Sequence, residues 1–547
     1  MKNTKFITYS IVVIAVLVQI IGMLNPFTGD AGKYAAIAKN IFLSGDFFNM
    51  TVNGDPYFQK PPFLIWLYTF GFYLFGDAND FTARFFPVLY SFIAIYSTYK
   101  FARIFYDKNT SLVAVCFFAF SEIFFLYNND IHTDVVLTAN TTLAIWQIAL
   151  FIKDKKLVNL IIGFAAVGLS MLTKGPIGLA VPVFAIGSHL LITRNFKMIF
   201  NPKWLIGLLV TVIIISPYLV SLYKQSGIEG IIFYFWTNNA GRMDGSYLNN
   251  FREPLFYIYN IASLMIPWSV FILAGLFMSI YSIFKNKFKP AENEEFYSFG
   301  ATILFIIILS MSVMKSPNYL YPVIPFLSII GARFFTSLSE FAIKKYFTVQ
   351  IVISIITWLL GVAIITYLFP AKKALVWVIF ILLSLFLVVT LTLKTENKRK
   401  IIFSGSVLIV LFSFIINAHF LPEVFKYQSS LPASKIYNKE ADDNDEFFTW
   451  RYSQFEMFFY AKTPGRKVWD EDKFCPPDRI TIDEAIKVKG AWYLMDAYTY
   501  DQLKEKGVKV KREWAFDHYW LTDINLKFLL PHTRQKQTFK MYLIETE

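Results

Sequence analysis

Apolar residues fill long, unbroken stretches of this chain, and the polar ones collect in the gaps between them. Phe6 to Leu24, Leu205 to Tyr223 and Val349 to Phe369 each offer about 20 mostly apolar residues, enough to cross a hydrocarbon core of roughly 30 Å as a helix. By this criterion about thirteen spans are predicted, near 6–25, 81–101, 111–127, 134–152, 157–172, 176–193, 204–223, 256–283, 297–314, 318–338, 347–369, 372–393 and 401–420. Phe63 to Phe75 is shorter, in the range of about 10 to 14 residues that more often lies at the interface or re-enters than spans. Beyond Leu421 the pattern turns polar. There "AWYLMD" predicts a buried strand, "YDQLKEKG" a helix closed by Gly507, "VKVKREW" an alternating strand and "FKMYLIE" a last one. The reading is an all-α polytopic membrane body over 1–420, with an outer loop at 26–80, followed by a small soluble α/β domain over 421–547.

Composition agrees with a membrane class. Of 547 residues, 56% are hydrophobic, 19% aromatic and only 17% charged, and the mean hydropathy is +0.47, outside the soluble range. The net charge of +13 does not mark a nucleic-acid partner, because the basic residues are spread through short loops instead of forming one aromatic-laced patch. Cys116, inside an apolar run, and Cys475, in a polar one, make poor disulfide partners. The N-terminus, with Lys2 and Lys5 ahead of a long apolar stretch, predicts an uncleaved signal anchor.

Charge placement fixes the expected orientation. If Phe63 to Phe75 does not cross, Lys100/Arg103/Lys108, Lys153/Lys155/Lys156, Arg194/Lys197/Lys203, Lys285/Lys287/Lys289, Lys344/Lys345 and Lys394/Lys398/Arg399/Lys400 all share the side of Lys2 and Lys5. The positive-inside rule makes that side cytoplasmic. The outer face then receives the first loop, the "NNDIHTD", "LTKGP" and "MKSPNY" turns, the loop from Lys224 to Pro254, and everything after Leu421. On that face Asp30, Lys60, Asp130, Asp134, Lys174, Arg242 and Lys315 stand singly at helix ends or beside Pro, Gly or an aromatic. Any one of them could be a snorkelling anchor, but seven on one face point to a functional site.

The first loop opens with Tyr34, Ile37, Ala38, Ile41 and Phe42 at helical spacing, predicting a surface helix with its apolar face in the lipid boundary. Asp30 falls at the start of that helix, where it could serve simply as an N-cap. Lys60 follows in an extended stretch between aromatics and prolines. One acid with the separated cations Lys60, Lys174, Arg242 and Lys315 suits transfer of a group whose leaving partner is a phosphate. Nucleotides do not reach the outer face in bulk, so such a donor would be lipid-borne.

Asp30-x-x-x-Tyr34-Ala35, Gly45-Asp46, Tyr57-Phe58-Gln59-Lys60-Pro61-Pro62, Asp134, Leu172-Thr173-Lys174-Gly175 and Lys315-x-x-x-Tyr319 together resemble the lipid A aminoarabinose transferases and the related protein O-mannosyltransferases. The resemblance covers roughly 1–420. It implies a C-type glycosyltransferase fold and inverting transfer of a sugar from a polyprenyl-phosphate donor to lipid A, lipopolysaccharide or another envelope glycan, or to a protein acceptor. It also implies a multi-pass protein of the inner (cytoplasmic) membrane, with its C-terminal domain periplasmic.

Carried over residue by residue, the resemblance makes Asp30 the catalytic acid with Asp134 nearby. Tyr57, Lys60, Lys174, Arg242, Lys315, Tyr319 and Lys33 become the donor-phosphate set. Three positions depart from the family pattern. Gln59 and Asn239 stand where the aminoarabinose transferases have the glutamate and histidine that help bind zinc, and neutral amides are poor zinc ligands, so no metal or other cofactor is expected. Lys33 replaces an arginine, keeping the charge without the bidentate fork. Among the histidines, His132 is expected to be a hydrogen-bonded surface residue and not a metal ligand, and His518 belongs to the tail. A transporter or flippase would place its binding groups near the midplane on repeated, broken helices, and an inert scaffold would leave the lone charges unexplained; neither pattern is apparent.

Overall fold

The structure, a computed structural model, describes residues 2–238, 253–289, 294–451, 454–470 and 479–547. The chain is mostly helical. Among the described residues, eight helices are long and apolar enough to cross a membrane, or nine if the bent pair Lys108–Ala119 and Glu122–Asn129 counts as one span. Their apolar surfaces divide by position. The segment Thr133–Asp154 has 83% of its apolar window buried among other helices, whereas Glu340–Leu368 and Ala374–Thr392 have 28%. The latter turn side chains such as Ile356, Leu359, Leu375 and Leu382 outward. In lipid such faces need no protein partner, because the solvent is as apolar as they are.

Two spans depart from the expected continuous rods. The stretch predicted over 256–283 is two helices, Phe256–Leu264 and Ser269–Lys285, since Pro267 cannot supply an N–H to one continuous ladder. The stretch over 111–127 bends by 49° between its two halves.

The short helix Phe63–Phe75 turns straight back into Asp80–Phe105. Gly76 closes the first helix at φ 73°, and Asn79 opens the second by accepting from the backbone N–H groups of Phe81 and Thr82. The two lie so close that a Cβ on Gly71 would fall 1.9 Å from the Thr82 carbonyl oxygen. With 13 residues at about 1.5 Å each, the first helix reaches only about 20 Å, short of the hydrocarbon thickness.

The helix expected at the lipid boundary, Gly29–Ser44, is instead enclosed by protein. Ala31, Tyr34, Ala35, Ile37 and Ala38 are all buried, packed between Phe63–Phe75 on one side and the later helix Phe455–Tyr460 on the other. The sequence pattern was right about an apolar face but could not say what covers it.

After residue 429 the chain builds a five-stranded sheet. Arg466–Val468, Phe447–Trp450 and Trp492–Asp496 run parallel, followed by Phe539–Thr546 and Val510–His518, which are antiparallel to their neighbours. The middle strands are nearly wholly buried, as expected where both faces are covered. Val510–His518 alternates exposed and half-buried positions and carries Lys511, Arg512 and Glu513 along its length, charges that discourage pairing with another chain at an edge. The three segments predicted as strands are strands. Phe447–Trp450 and Arg466–Val468 are additional.

Candidate functional site

Helix ends and turns bring the singular charges together. Thr28 is the N-cap of Gly29–Ser44, so Asp30 lies within its first turn instead of capping it. The cap function falls to Glu456, whose Oε1 accepts the Gly29 backbone N–H at 2.6 Å. Freed from capping, the Asp30 carboxylate turns to the Lys33 ammonium at 2.6 Å.

Asp134 opens Thr133–Asp154 and Lys174 ends Leu157–Lys174, where Gly175 at φ 72° takes the chain around the corner. Lys174 Nζ donates to Asp134 Oδ1 at 2.6 Å, and Asn318 Nδ2 donates to Oδ2 at 2.7 Å. Both Asp134 oxygens are thereby occupied, and its side chain is 1% exposed. Lys174 also lies 4.3 Å from the centre of the Tyr319 ring.

A cavity of about 260 Å³ joins these pieces, lined by Asp30, Lys33, Tyr57, Lys60, Asp134, Lys174 and Tyr319 together with Gln59, His132 and Asn318. Through Lys60, Lys174, Met314 and Tyr319 it continues into an apolar groove of about 240 Å³ walled by Ile177, Ala180, Phe184, Phe305 and Leu309. On the other side of Asp30 lies a larger chamber of about 530 Å³, which shares Asp30, His132, Ser316 and Asn318 with the first cavity. Seven of the nine expected site residues thus line one space. Arg242, like Asn239, falls outside the described residues. Lys315 is the exception: its ammonium donates to the Ser312 carbonyl at 2.6 Å, while Met314, Ser316, Asn318 and Tyr319 from the same turn face the cavity.

Electrostatics around Asp30 favour its charged form. Burial alone would raise its pKa, but Lys33, through charge and hydrogen bond, with His132 and Lys60 beyond it, holds the carboxyl below its ordinary value. His132 is not a plain surface residue; it forms part of the wall, and its Nε2 lies 3.2 Å from Asp130 Oδ2. Burial would lower its pKa, yet Asp130 and the more distant Asp30 and Asp134 raise it overall. Burial pushes the Tyr34 hydroxyl well up, with the nearby acids adding to the shift, so this group remains protonated.

Sequence reading missed the far wall. Tyr127, Asp130, Gln428, Phe455, Glu456, His518 and Trp520 line the larger chamber, and the last five lie about 400 to 490 residues from Asp30 along the chain. Asp130 had been noted as a singular charge, but nothing local to the tail marks Glu456 or Trp520. Among the described residues, no group of three His, Cys, Asp or Glu side chains could hold a metal ion.

Residues 59–220 match the family model for dolichyl-phosphate-mannose-protein mannosyltransferases. An uncharacterized protein of Aquifex aeolicus is 27% identical over 343 residues, 62% of this chain and 66% of that one. The undecaprenyl phosphate-alpha-4-amino-4-deoxy-L-arabinose arabinosyl transferase of Edwardsiella ictaluri is 24% identical over 314 residues, covering 56% of this chain. That match spans 54%, about half, of the transferase's own length. In three dimensions the whole chain is similar to ArnT from Cupriavidus metallidurans bound to undecaprenyl phosphate, at a TM-score of 0.78 and 18% identity over 98% of this chain and 97% of that one. The fold is therefore that of ArnT, and the similar proteins are named as 4-amino-4-deoxy-L-arabinose arabinosyl transferases and dolichyl-phosphate-mannose-protein mannosyltransferases.

Proposed function

We propose that this protein is an integral membrane inverting glycosyltransferase that moves one sugar from a polyprenyl-phosphate donor to an acceptor at the outer face, lipid A, lipopolysaccharide or another envelope glycan. The observation that carries this reading is a half-exposed carboxylate, Asp30, facing one cavity with Lys33, Lys60 and Lys174, where that cavity runs on into an apolar groove. The groove suits the prenyl chain and the lysines suit its phosphate. Undecaprenyl phosphate, bound by the similar ArnT, is the carrier proposed for this chain.

In the reaction the acceptor oxygen attacks the anomeric carbon from the face opposite the phosphate. The new C–O bond forms as the old one breaks, and its electron pair leaves on the phosphate oxygen. Asp30 receives the acceptor proton. Lys60 and Lys174, with Tyr57 and Tyr319 beside them, stabilise the departing anion. Asp134 holds Lys174 in place, and Lys33 keeps Asp30 ionised; Arg242 completes the proposed phosphate set. General bases of this kind contribute about 10²–10⁴ in rate.

No zinc is assigned to this mechanism. Three of the four carboxylate oxygens of Asp30 and Asp134 are held by Lys33, Lys174 and Asn318, Gln59 is an amide, and three lysines line the same space. That donor set suits an anion better than a divalent cation.

The proposed topology has thirteen crossings: the nine already described with Asp80–Phe105, Ile177–Ile192, Ser269–Lys285 and Tyr297–Met311. It divides at residue 420 into a membrane body and a C-terminal α/β domain. The contact between Glu456 and Gly29 supports a shared side for the tail and the first loop. By the positive-inside rule that side is periplasmic in the inner membrane, with the N-terminus cytoplasmic.

The test is mass spectrometry of envelope lipids and glycans from cells carrying the wild type, a deletion, and Asp30→Asn. A glycan mass lost in both mutants, with Asp30→Asn still in the membrane, is the expected result. Retention of that mass in Asp30→Asn would overturn the role given to Asp30.

A further inference from the structure

The chamber beyond Asp30 has a chemistry opposite to that of the lysine-lined cavity. Its charged lining residues, among those described, are Asp30, Asp130 and Glu456, with no lysine or arginine. An acceptor phosphate brought here would meet like charge without a compensating cation, an arrangement that costs several kcal/mol in a partly desolvated site. The cations beside these acids, Lys33 and His132, are already paired with Asp30 and Asp130.

Two nearly buried polar side chains in the same wall state what is missing. His518 and Gln428 are each 3% exposed, and His518 Nε2 and Gln428 Oε1 have no hydrogen-bond partner. The backbone N–H of Ser429 donates to His518 Nδ1 at 3.2 Å, so Nδ1 is the acceptor and, in the neutral ring, Nε2 carries the proton. Burial keeps that ring neutral by lowering its pKa to about 4. Gln428 uses its Nε2 on the Phe27 carbonyl at 3.0 Å, which leaves Oε1 as an acceptor. The wall therefore offers one unmatched donor and one unmatched acceptor. Hydroxyl groups can answer both, whereas a fully ionised phosphate can answer only the donor. Phe455 and Trp520 add aromatic faces, and the volume falls within the range of about 300–1,000 Å³ usual for small-ligand sites.

Through Thr28, Asp130 and Leu521 the chamber adjoins another cavity, of about 280 Å³, walled by Phe125, Leu126, Ile416, Phe420 and Phe425. Arg84 borders it, but its guanidinium is spent on the carbonyls of Met23, Pro26, Asp80 and Asn129 and stacks 3.7 Å from the centre of the Phe27 ring. Two polar cavities thus flank Asp30, each continuing into an apolar one.

We infer that the acceptor is a hydroxyl of an uncharged sugar on a lipid-anchored glycan, bound in the chamber between Asp30 and Trp520. This rests on the transferase reading and narrows it: the attacking group is a neutral O–H, its proton goes to Asp30, and the product linkage is a glycosidic acetal, C–O–C, not an ester of phosphate.

The linkage itself is the test. Glycolipids from wild-type and deletion cells are compared by mass, and the sugar that the deletion removes is subjected to mild acid and its lipid to ³¹P NMR. A sugar that survives mild acid, on a lipid with unchanged phosphorus signals, is expected. Release by mild acid with loss of a phosphodiester signal would overturn the inference in favour of a phosphate acceptor, and recovery of the sugar on protein would overturn it in favour of a polypeptide. Trp520 is 40% exposed and can be truncated without opening the core. Trp520→Ala should cut the modified glycolipid about tenfold, near 1.4 kcal/mol of lost acceptor binding, while the purified full chain still binds undecaprenyl phosphate in native mass spectrometry. Undiminished transfer by Trp520→Ala would remove the chamber from the proposal. If the deletion removes no sugar from any fraction and the protein does not bind undecaprenyl phosphate, the transferase reading itself fails.

Discussion

The two cavities that meet at Asp30 differ in almost every respect except size class. The one toward Lys60 is cationic, built by turns within the first third of the chain and around residue 318, and continuous with a groove of aliphatic side chains. The one toward Trp520 is acidic and aromatic, and half its wall comes from the tail. In the proposed transfer the difference sets a direction. Negative charge accumulates where ammonium groups wait, and the proton leaves on the side where acids and neutral acceptors wait. Such fixed charges act most strongly where burial limits screening, as at Lys33 and Lys174, 12% and 10% exposed.

Removing the group at the junction should have the largest effect. Asp30→Asn preserves shape and loses the base, so single-turnover transfer by protein in detergent is expected to fall about 10²–10⁴-fold with thermal stability unchanged. A smaller loss would mean that the acceptor arrives already ionised.

Next come the two lysines, which separate rate from stability. Lys60→Met should cost transfer about 10²–10³-fold, the usual range for losing one preorganised contact to a developing anion, with little change in melting. Lys174→Met leaves Asp134, 1% exposed, without its cation, and breaking such a pair destabilises by about 3–5 kcal/mol. Adding Asp134→Asn should restore much of the melting temperature but not the activity. If Lys60→Met melts early instead, the division of labour is wrong.

A milder probe is pH. Because Lys33 and its neighbours lower the folded pKa of Asp30, the carboxylate persists as pH falls through the ordinary carboxylate range near 4. Activity and this group's share of stability are therefore lost only as pH drops through the lowered value. Lys33→Met should move the acid limb of kcat/KM upward. An unmoved limb would detach Lys33 from Asp30.

The smallest expected effect is none: dialysis against a chelator should leave transfer intact, and a loss rescued by zinc would return a metal to the cationic cavity.

Much of the cationic side was legible in the sequence because a charge in a greasy chain is conspicuous. Asp30, Asp134 and Lys174 announced themselves by standing alone at helix ends, and Lys60 by standing between aromatics and prolines. The longer spans, eight or nine among the described residues, were legible for the same reason, length and hydropathy being local properties. Lys315 misled because spacing cannot tell which side chain of a tight turn faces inward; Asn318 took the place beside Asp134. The acidic side was hidden because its signal is distributed. Glu456, His518 and Trp520 look ordinary in a polar tail and acquire meaning only when packed against residue 30. The strands Phe447–Trp450 and Arg466–Val468 are three or four residues long, and the first is buried throughout, so no alternation marks it.

Glu456 also sets a timetable. It accepts the N–H of Gly29 from 427 residues downstream, and ribosomes add about 5–20 residues per second. A growing chain therefore carries its Asp30 helix for about 20 to 85 s before that carboxylate exists. During that interval the nascent protein already displays its lysines but lacks the groups that complete the opposite wall. Competence in the proposed transfer should appear late in synthesis and in a single step.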